Sequence, residues 1–187
     1  MLIALGANLS QGCLSPAATL ERALDLLAES PGIAVAARSS WWRSAAVPAG
    51  SGPDFVNGAA RVAGADSPED LLARLHAVED RLGRSRPSRW APRVCDLDLV
   101  AAGGAIRPDH QTLTRWMALP AEAARTETPE TLLLPHPRMQ ERAFVLAPLA
   151  EIDPDWRHPL LGLTPLEMLA RLPAADRAGT VPLAEDG

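Results

Sequence analysis

Asp96 and Asp98 flank Leu97 in the segment CDLDL. Residues two apart in a strand point to the same face, so the two carboxylates project together while Cys95, Leu97 and Leu99 turn to the opposite, apolar face. Adjacent carboxylates repel one another unless a cation lies between them. Hard oxygen donors of this kind suit magnesium, which takes one or two carboxylates and completes its shell with water and substrate phosphates. A pair of solvated carboxylates on a sheet edge is the competing reading, and D-x-D alone does not decide between them.

The preceding residues weigh on the choice. GRSRPSRWAPR runs directly into CDLDL and carries Arg84, Arg86, Arg89 and Arg93. Arginine is a forked, permanently charged donor matched to phosphate oxygens. Cations for phosphates beside anions for a metal are what a polyphosphate–metal site requires. The chain has 18 basic residues and every one is Arg; without lysine a P-loop is excluded. A second pair, Phe55 and Asn57, shares a strand face. Phe offers a stacking surface and Asn both a donor and an acceptor, a combination able to read a flat heterocycle. Phe144 could form the other side of a sandwich. Core packing for Phe55 and a turn role for Asn57 is the alternative. Leu72, His76 and Glu79 lie at helical spacing on a stripe beside the core stripe of one helix, which reads as a polar helix face. His136 lies in LPHPRMQER, ahead of Arg138 and Arg142.

The elements that must position these residues are legible in outline. Leu2–Leu5 reads as a buried strand, and 16–29 as a helix with Leu20, Leu24 and Leu27 on one stripe. Residues 33–47 read as one long strand and 54–63 as another, antiparallel to it. Ser67 as N-cap, Pro68, and acidic Glu69 and Asp70 open a helix ended by Gly83. Residues 94–100 read as a strand. Strand, helix, strand, strand, helix, strand predicts an α+β, ferredoxin-like antiparallel sheet with helices packed on it. Residues 103–131 are long for a loop, with a short helix expected over 115–125, broken at Pro120. Helices are expected over 141–149 and, capped by Thr164, over 164–172; from Pro173 a trailing segment is expected.

Composition sets bounds. The 187 residues, 47 % of them hydrophobic, suit a single domain spanning 1–187 with a real core. A net charge of −5 argues against a general nucleic-acid or membrane-surface role. No run approaches the roughly 20 apolar residues of a membrane helix. MLIALGAN lacks the basic start of a secretory signal, and Cys13 and Cys95 read as free thiols. A cytoplasmic location is expected.

LGANL (5–9), PDFVN (53–57), the stretch from Ser67 to Leu99, and LPHPRMQERAFVLAPLAEIDP (134–154) together resemble the 6-hydroxymethyl-7,8-dihydropterin pyrophosphokinase family; HPLLGLT (158–164) matches more weakly. The R-x-x-RW-x-PR-x-x-DLD core followed by PHP-x-M-x-x-R-x-FVL is the specific part. The resemblance implies a three-layer α/β/α sandwich and a monomer. It implies transfer of pyrophosphate from ATP to the pterin, with two magnesium ions held by Asp96 and Asp98. Arg84, Arg93, His136 and Arg142 would contact phosphates, and Arg89 and Trp90 would lie on a catalytic loop closing over ATP. Leu72, His76 and Glu79 would line the nucleotide site. Phe55 and Phe144 would sandwich the pterin, with Asn57, Asn8, Asp96 and backbone around Ser44, Ala45 and Val47 at its edge. The departures are Ala7 and Ala91 where Ser and Gly are usual, Ala101-Ala102 for a bulky pair, Val47-Pro48 before the pterin loop, and an insertion at about 110–131. A different two-metal phosphotransferase would not need the Phe55, Asn57 and Phe144 pocket, and a non-catalytic binding module would not need both aspartates.

Overall fold

The computed structural model describes residues 1–46, 52–83 and 94–184. β1 (Leu2–Ala7) lies inside an antiparallel sheet, with β4 (Phe55–Ala63) on one side and β5 (Asp96–Ala101) on the other. β2 (Ala34–Arg38) and β3 (Trp42–Ser44) both pair with β4, and β6 (Thr180–Pro182) pairs with β3. The order β5-β1-β4-β3-β6, with β2 also against β4, is the ferredoxin-like arrangement expected from the sequence.

Side-chain alternation splits the sheet into two apolar faces. Ile3, Leu5, Val56, Ala60, Leu97 and Leu99 pack with α1 (Pro16–Ala28) and α2 (Pro68–Arg81). Leu2, Ala4, Ala59 and Val100 pack with α5 (Ala143–Ile152) and α6 (Pro165–Arg171). Three α/β/α layers result. The helix starts follow their caps: Ser15, Ser67 and Thr164 side chains each accept a backbone N–H of the first turn, and Gly83 closes α2 with a left-handed φ of +71°.

Three expectations are corrected. The single strand over 33–47 is two strands. The register slips between Val35 and Ala37, and at the break the Ser39 hydroxyl accepts the Ala59 N–H at 2.9 Å in place of a ladder partner. The helix expected over 115–125 is a pair, α3 (His110–Met117) and α4 (Ala121–Thr126), because Asp109 caps α3 through the Thr112 N–H at 2.8 Å. The segment after Pro173 does not trail: it forms α7 (Ala174–Ala178) and then β6. The insertion leaves and returns at one point, where Arg107 and Leu134 exchange backbone hydrogen bonds of 2.9 and 3.3 Å, and Leu113 of α3 is fully buried.

Candidate active site

On the face that carries α5, the candidate residues of β4, β1 and β5 fall in two adjacent rows. Registered partners across antiparallel strands share a face. Asn57 pairs with Gly6 and Gly6 with Asp96, so these three form a row across β4, β1 and β5. Ala59, Ala4 and Asp98 form the next row, toward α5. Asp96 and Asp98 thus point together, as the D-x-D spacing requires, while Cys95, Leu97 and Leu99 are buried on the opposite side. Asp98 Oδ2 stands 3.9 Å from Arg142 Nη1, and the Arg142 guanidinium lies 5.9 Å from the Phe144 ring centroid. Arg142 and Phe144 enter from the start of α5.

His136 joins the group through the end of β5. Its backbone N–H donates to Val100 O at 2.8 Å, and its Nδ1 accepts the Arg138 N–H at 3.1 Å. The proton of the neutral ring therefore resides on Nε2, which is left as a donor. Desolvation foremost, with Arg142 and Arg138 adding to it against the opposing pull of its backbone hydrogen bond and of Asp96, pushes the His136 pKa down to about 3. This imidazole is able to donate a hydrogen bond from Nε2 without carrying charge.

Asn57 is buried, and its Nδ2 donates to Ser44 Oγ at 3.0 Å. Asn8 Nδ2 donates to Pro53 O at 3.3 Å, fastening the first loop to the PDFVN segment. Phe55 and Phe144 are the chain's only phenylalanines. Both are partly exposed, and Phe144 also packs against the core cluster beneath α5. Ala45 is exposed beside buried Ser44.

The α2 stripe is not uniform. His76 is exposed and Leu72 packs partly against the core. Glu79 is buried and its Oε1 accepts the Leu97 N–H at 2.8 Å. Leu97 lies on β5, which among the described residues is the edge strand of the sheet. One Glu79 oxygen therefore serves β5 and the pitch of its two aspartates, a role the helical spacing did not reveal. Arg84, Arg86, Arg89, Trp90, Arg93 and Val47 lie outside the described residues.

Other positioning contacts carried no sequence signal. Gln11 Nε2 donates to Leu82 O at 2.6 Å, tying the first loop to the end of α2. Glu151 Oε1 accepts the Trp42 Nε1–H at 2.9 Å and its Oε2 accepts the Ser40 N–H at 2.7 Å, joining α5, which carries Phe144, to the strand that carries Ser44. Such pairings come from tertiary placement, over separations of 71 to 111 residues.

The donor set fits magnesium: two carboxylates on one face, both partly exposed, with coordination positions left for water and phosphate oxygens. Among the described residues no group of three or more His, Cys, Asp or Glu gathers as a closed metal cage.

Fold and site together define an α+β domain with a buried carboxamide and a carboxylate on either side of β1 in one sheet row and a second carboxylate in the next row. The chain belongs to the 7,8-dihydro-6-hydroxymethylpterin-pyrophosphokinase family, whose profile matches residues 2–154. The 2-amino-4-hydroxy-6-hydroxymethyldihydropteridine pyrophosphokinase of Synechocystis is 40 % identical over 153 residues, covering 82 % of this chain and 68 % of the relative. The enzyme of the same name from Pseudomonas aeruginosa is 36 % identical over 180 residues, covering 92 % and 96 %. Among solved structures, a Plasmodium falciparum HPPK-DHPS triple mutant with SDX-DHP superposes with a TM-score of 0.62 at 13 % identity over 91 % of this chain. The match spans 43 % of that longer chain and speaks for the fold alone. Among the described residues no helix is long and apolar enough to cross a membrane.

Proposed function

We propose that this chain transfers pyrophosphate from ATP to 6-hydroxymethyl-7,8-dihydropterin, an early step of folate synthesis. The observation that carries this reading is the sheet face: Asp96 lies across β1 from Asn57 and Asp98 follows in the next row, on the face shared with Phe55. Asp96 and Asp98 would hold two magnesium ions. Bound there, magnesium supplies charge neutralisation for the phosphates and the leaving group.

The pterin hydroxymethyl oxygen attacks the β-phosphorus of ATP. The new O–P bond forms as the bond between that phosphorus and the α,β-bridging oxygen breaks, and AMP leaves with the electron pair. The hydroxyl proton goes to solvent, with no side-chain base assigned, since Asp98 as a metal ligand is a poor base. The protein's share is positioning and electrostatics. Arg142 and the Nε2–H of His136 serve the phosphates together with Arg84 and Arg93. Arg89 and Trp90 belong to the loop that closes over ATP. Leu72 and His76 line the nucleotide side, and Glu79 acts there chiefly through β5. Phe55 and Phe144 stack on the pterin, whose edge is read by Asn57, Asn8 and the Ser44–Val47 backbone. The chain works as a cytoplasmic monomer.

The test is an AMP-release assay with ATP, magnesium and hydroxymethyl dihydropterin. AMP formation dependent on all three is expected. AMP formation indifferent to the pterin would refute the assignment.

A further inference from the structure

The insertion that holds α3 and α4 is a part of the chain the proposed reaction does not use. Its stem is fixed: Arg107 and Leu134 exchange backbone hydrogen bonds, and Leu134 stands two residues before His136. Within it, Leu113 of α3 is buried. Arg115 of α3 pairs with Glu127, the residue that ends α4, at 3.2 Å.

The insertion also reaches outward. Leu119 lies one residue past Ala118, the C-cap of α3, and its carbonyl accepts a hydrogen bond from Arg138 Nη1 at 3.3 Å. Arg138 Nη2 meets Glu141 Oε2 at 2.5 Å. Both prongs of the planar guanidinium fork are thus gripped, which leaves the side chain little freedom. The Arg138 side chain is 23 % exposed, against 67 % for Arg115 in the pair internal to the insertion, so its contacts are the less screened by solvent.

The backbone of the same residue acts on the site. The Arg138 N–H donates to His136 Nδ1 at 3.1 Å, and that bond makes the neutral ring an Nε2–H donor. The Met139 N–H donates to His136 O at 3.1 Å, with Met139 itself fully buried. Arg138 therefore joins the insertion to the imidazole, with its side chain on one and its amide on the other.

We propose that the insertion is a positioning element for His136: by gripping the Arg138 guanidinium, Leu119 O and Glu141 hold the turn over 136–138, and with it the ring that offers Nε2–H to the phosphates of ATP. Arg138 is the positioning residue. The proposal rests on the pyrophosphokinase reading and gives the insertion a part on the nucleotide side of the reaction.

The test is steady-state AMP release by the full chain and three variants, with ATP and hydroxymethyl dihydropterin varied in turn. Leu113→Ala loosens α3, Arg138→Met keeps an apolar stem but removes the fork, and Glu141→Ala removes one of its two grips. Each should raise the KM for ATP at least threefold and leave the KM for the pterin within twofold. Glu141→Ala separates position from charge. Loss of an anion beside Arg138 would on Coulombic grounds alone favour the binding of ATP, so a KM for ATP that falls, or rises less than twofold, overturns the proposal. A rise of less than twofold in folded Leu113→Ala also overturns it; both results leave the proposed function standing. Should Leu113→Ala fail to fold, Asp109→Ala, which removes the exposed cap of α3, takes its place with the same expected rise and the same overturning result. AMP formation by the parent chain that is indifferent to the pterin overturns the proposed function and this inference together.

Discussion

The Asn57 side-chain nitrogen lies 3.0 Å from the Ser44 hydroxyl oxygen, and both residues are buried. The same nitrogen approaches Trp42 O and Phe55 O, each at 3.5 Å. Its two hydrogens thus face acceptors within the protein. Ser44 fixes which way the carboxamide points. Ser44→Ala should leave Asn57 less well oriented and weaken pterin binding by about 1 kcal/mol, roughly fivefold, with the KM for ATP unchanged. Ser44→Thr, which restores the oxygen, should recover the loss. Steady-state kinetics with each substrate varied checks this, and equal changes in both KM values would count against it.

Phe55→Ala separates the two substrates in another way. Truncation removes a stacking surface from the face that carries Asn57, so pterin affinity should fall by about tenfold or more, in line with the ~1–3 kcal/mol of a base–aromatic stack, and ATP affinity should hold. Asp98→Ala should abolish turnover while pterin binding survives better. Near-normal AMP release by that variant would refute the metal role.

Glu79 offers a case in which position and stability meet. Its Oε1 is the acceptor for the Leu97 N–H of edge strand β5. Glu79→Ala leaves that buried N–H without this partner, at a cost of about 1–3 kcal/mol, and loosens the strand that carries Asp96 and Asp98. A lower urea midpoint together with a lower kcat is expected. Glu79→Gln, which keeps an oxygen acceptor, should retain more of both than Glu79→Ala does. Equal behaviour of the two variants would remove the argument for the Leu97 contact.

These residues also mark what was legible in advance. The D-x-D face, the strand and helix order and the capped start of α2 follow from local periodicity and caps, which a sequence displays directly. The break at 39–41, the inward turn of Glu79 and the pairing of β6 with β3 do not, because each depends on a partner far away in the chain. Ser39 finds Ala59, Glu79 finds Leu97, and Thr180 stands opposite Ser44.

His158 gives a prediction in pH. Its ring is fully buried, and Nδ1 accepts the N–H groups of Leu160 and Leu161 at 3.2 and 3.3 Å. Burial pushes its pKa down to about 4. The unfolded chain takes up this proton near pH 6.5, so it binds the proton before the folded chain does. The contribution to stability is complete above about pH 6.5 and is lost as pH falls from there through about 4, by at most on the order of 3 kcal/mol. His158→Asn retains an oxygen acceptor without titrating, so it should flatten this part of the profile. Urea midpoints at pH 7 and 4.5 for both proteins test it, and an identical acid loss in the variant would sink the idea.

The C-terminal strand supports the last prediction. β3 has three residues and would be an exposed edge without β6, which places Thr180 opposite Ser44 and Val181 opposite Arg43. The Leu183 N–H adds a bond to Trp41 O at 2.8 Å, and Thr180 is itself buried. A chain ending at Pro173 would lose all of these contacts and leave β3 held by β4 and by the Glu151 contacts to Ser40 and Trp42. Ser44 then has more freedom to drift from Asn57, while Asp96, Asp98 and His136 lie on the far side of β1, away from the change. The truncated protein should therefore show a raised KM for the pterin, about five- to tenfold if the Ser44 bond is lost at about 1 kcal/mol or slightly more, with the KM for ATP within twofold. An unchanged pterin KM after removal of residues 174–187 would show that β3 keeps its register without β6.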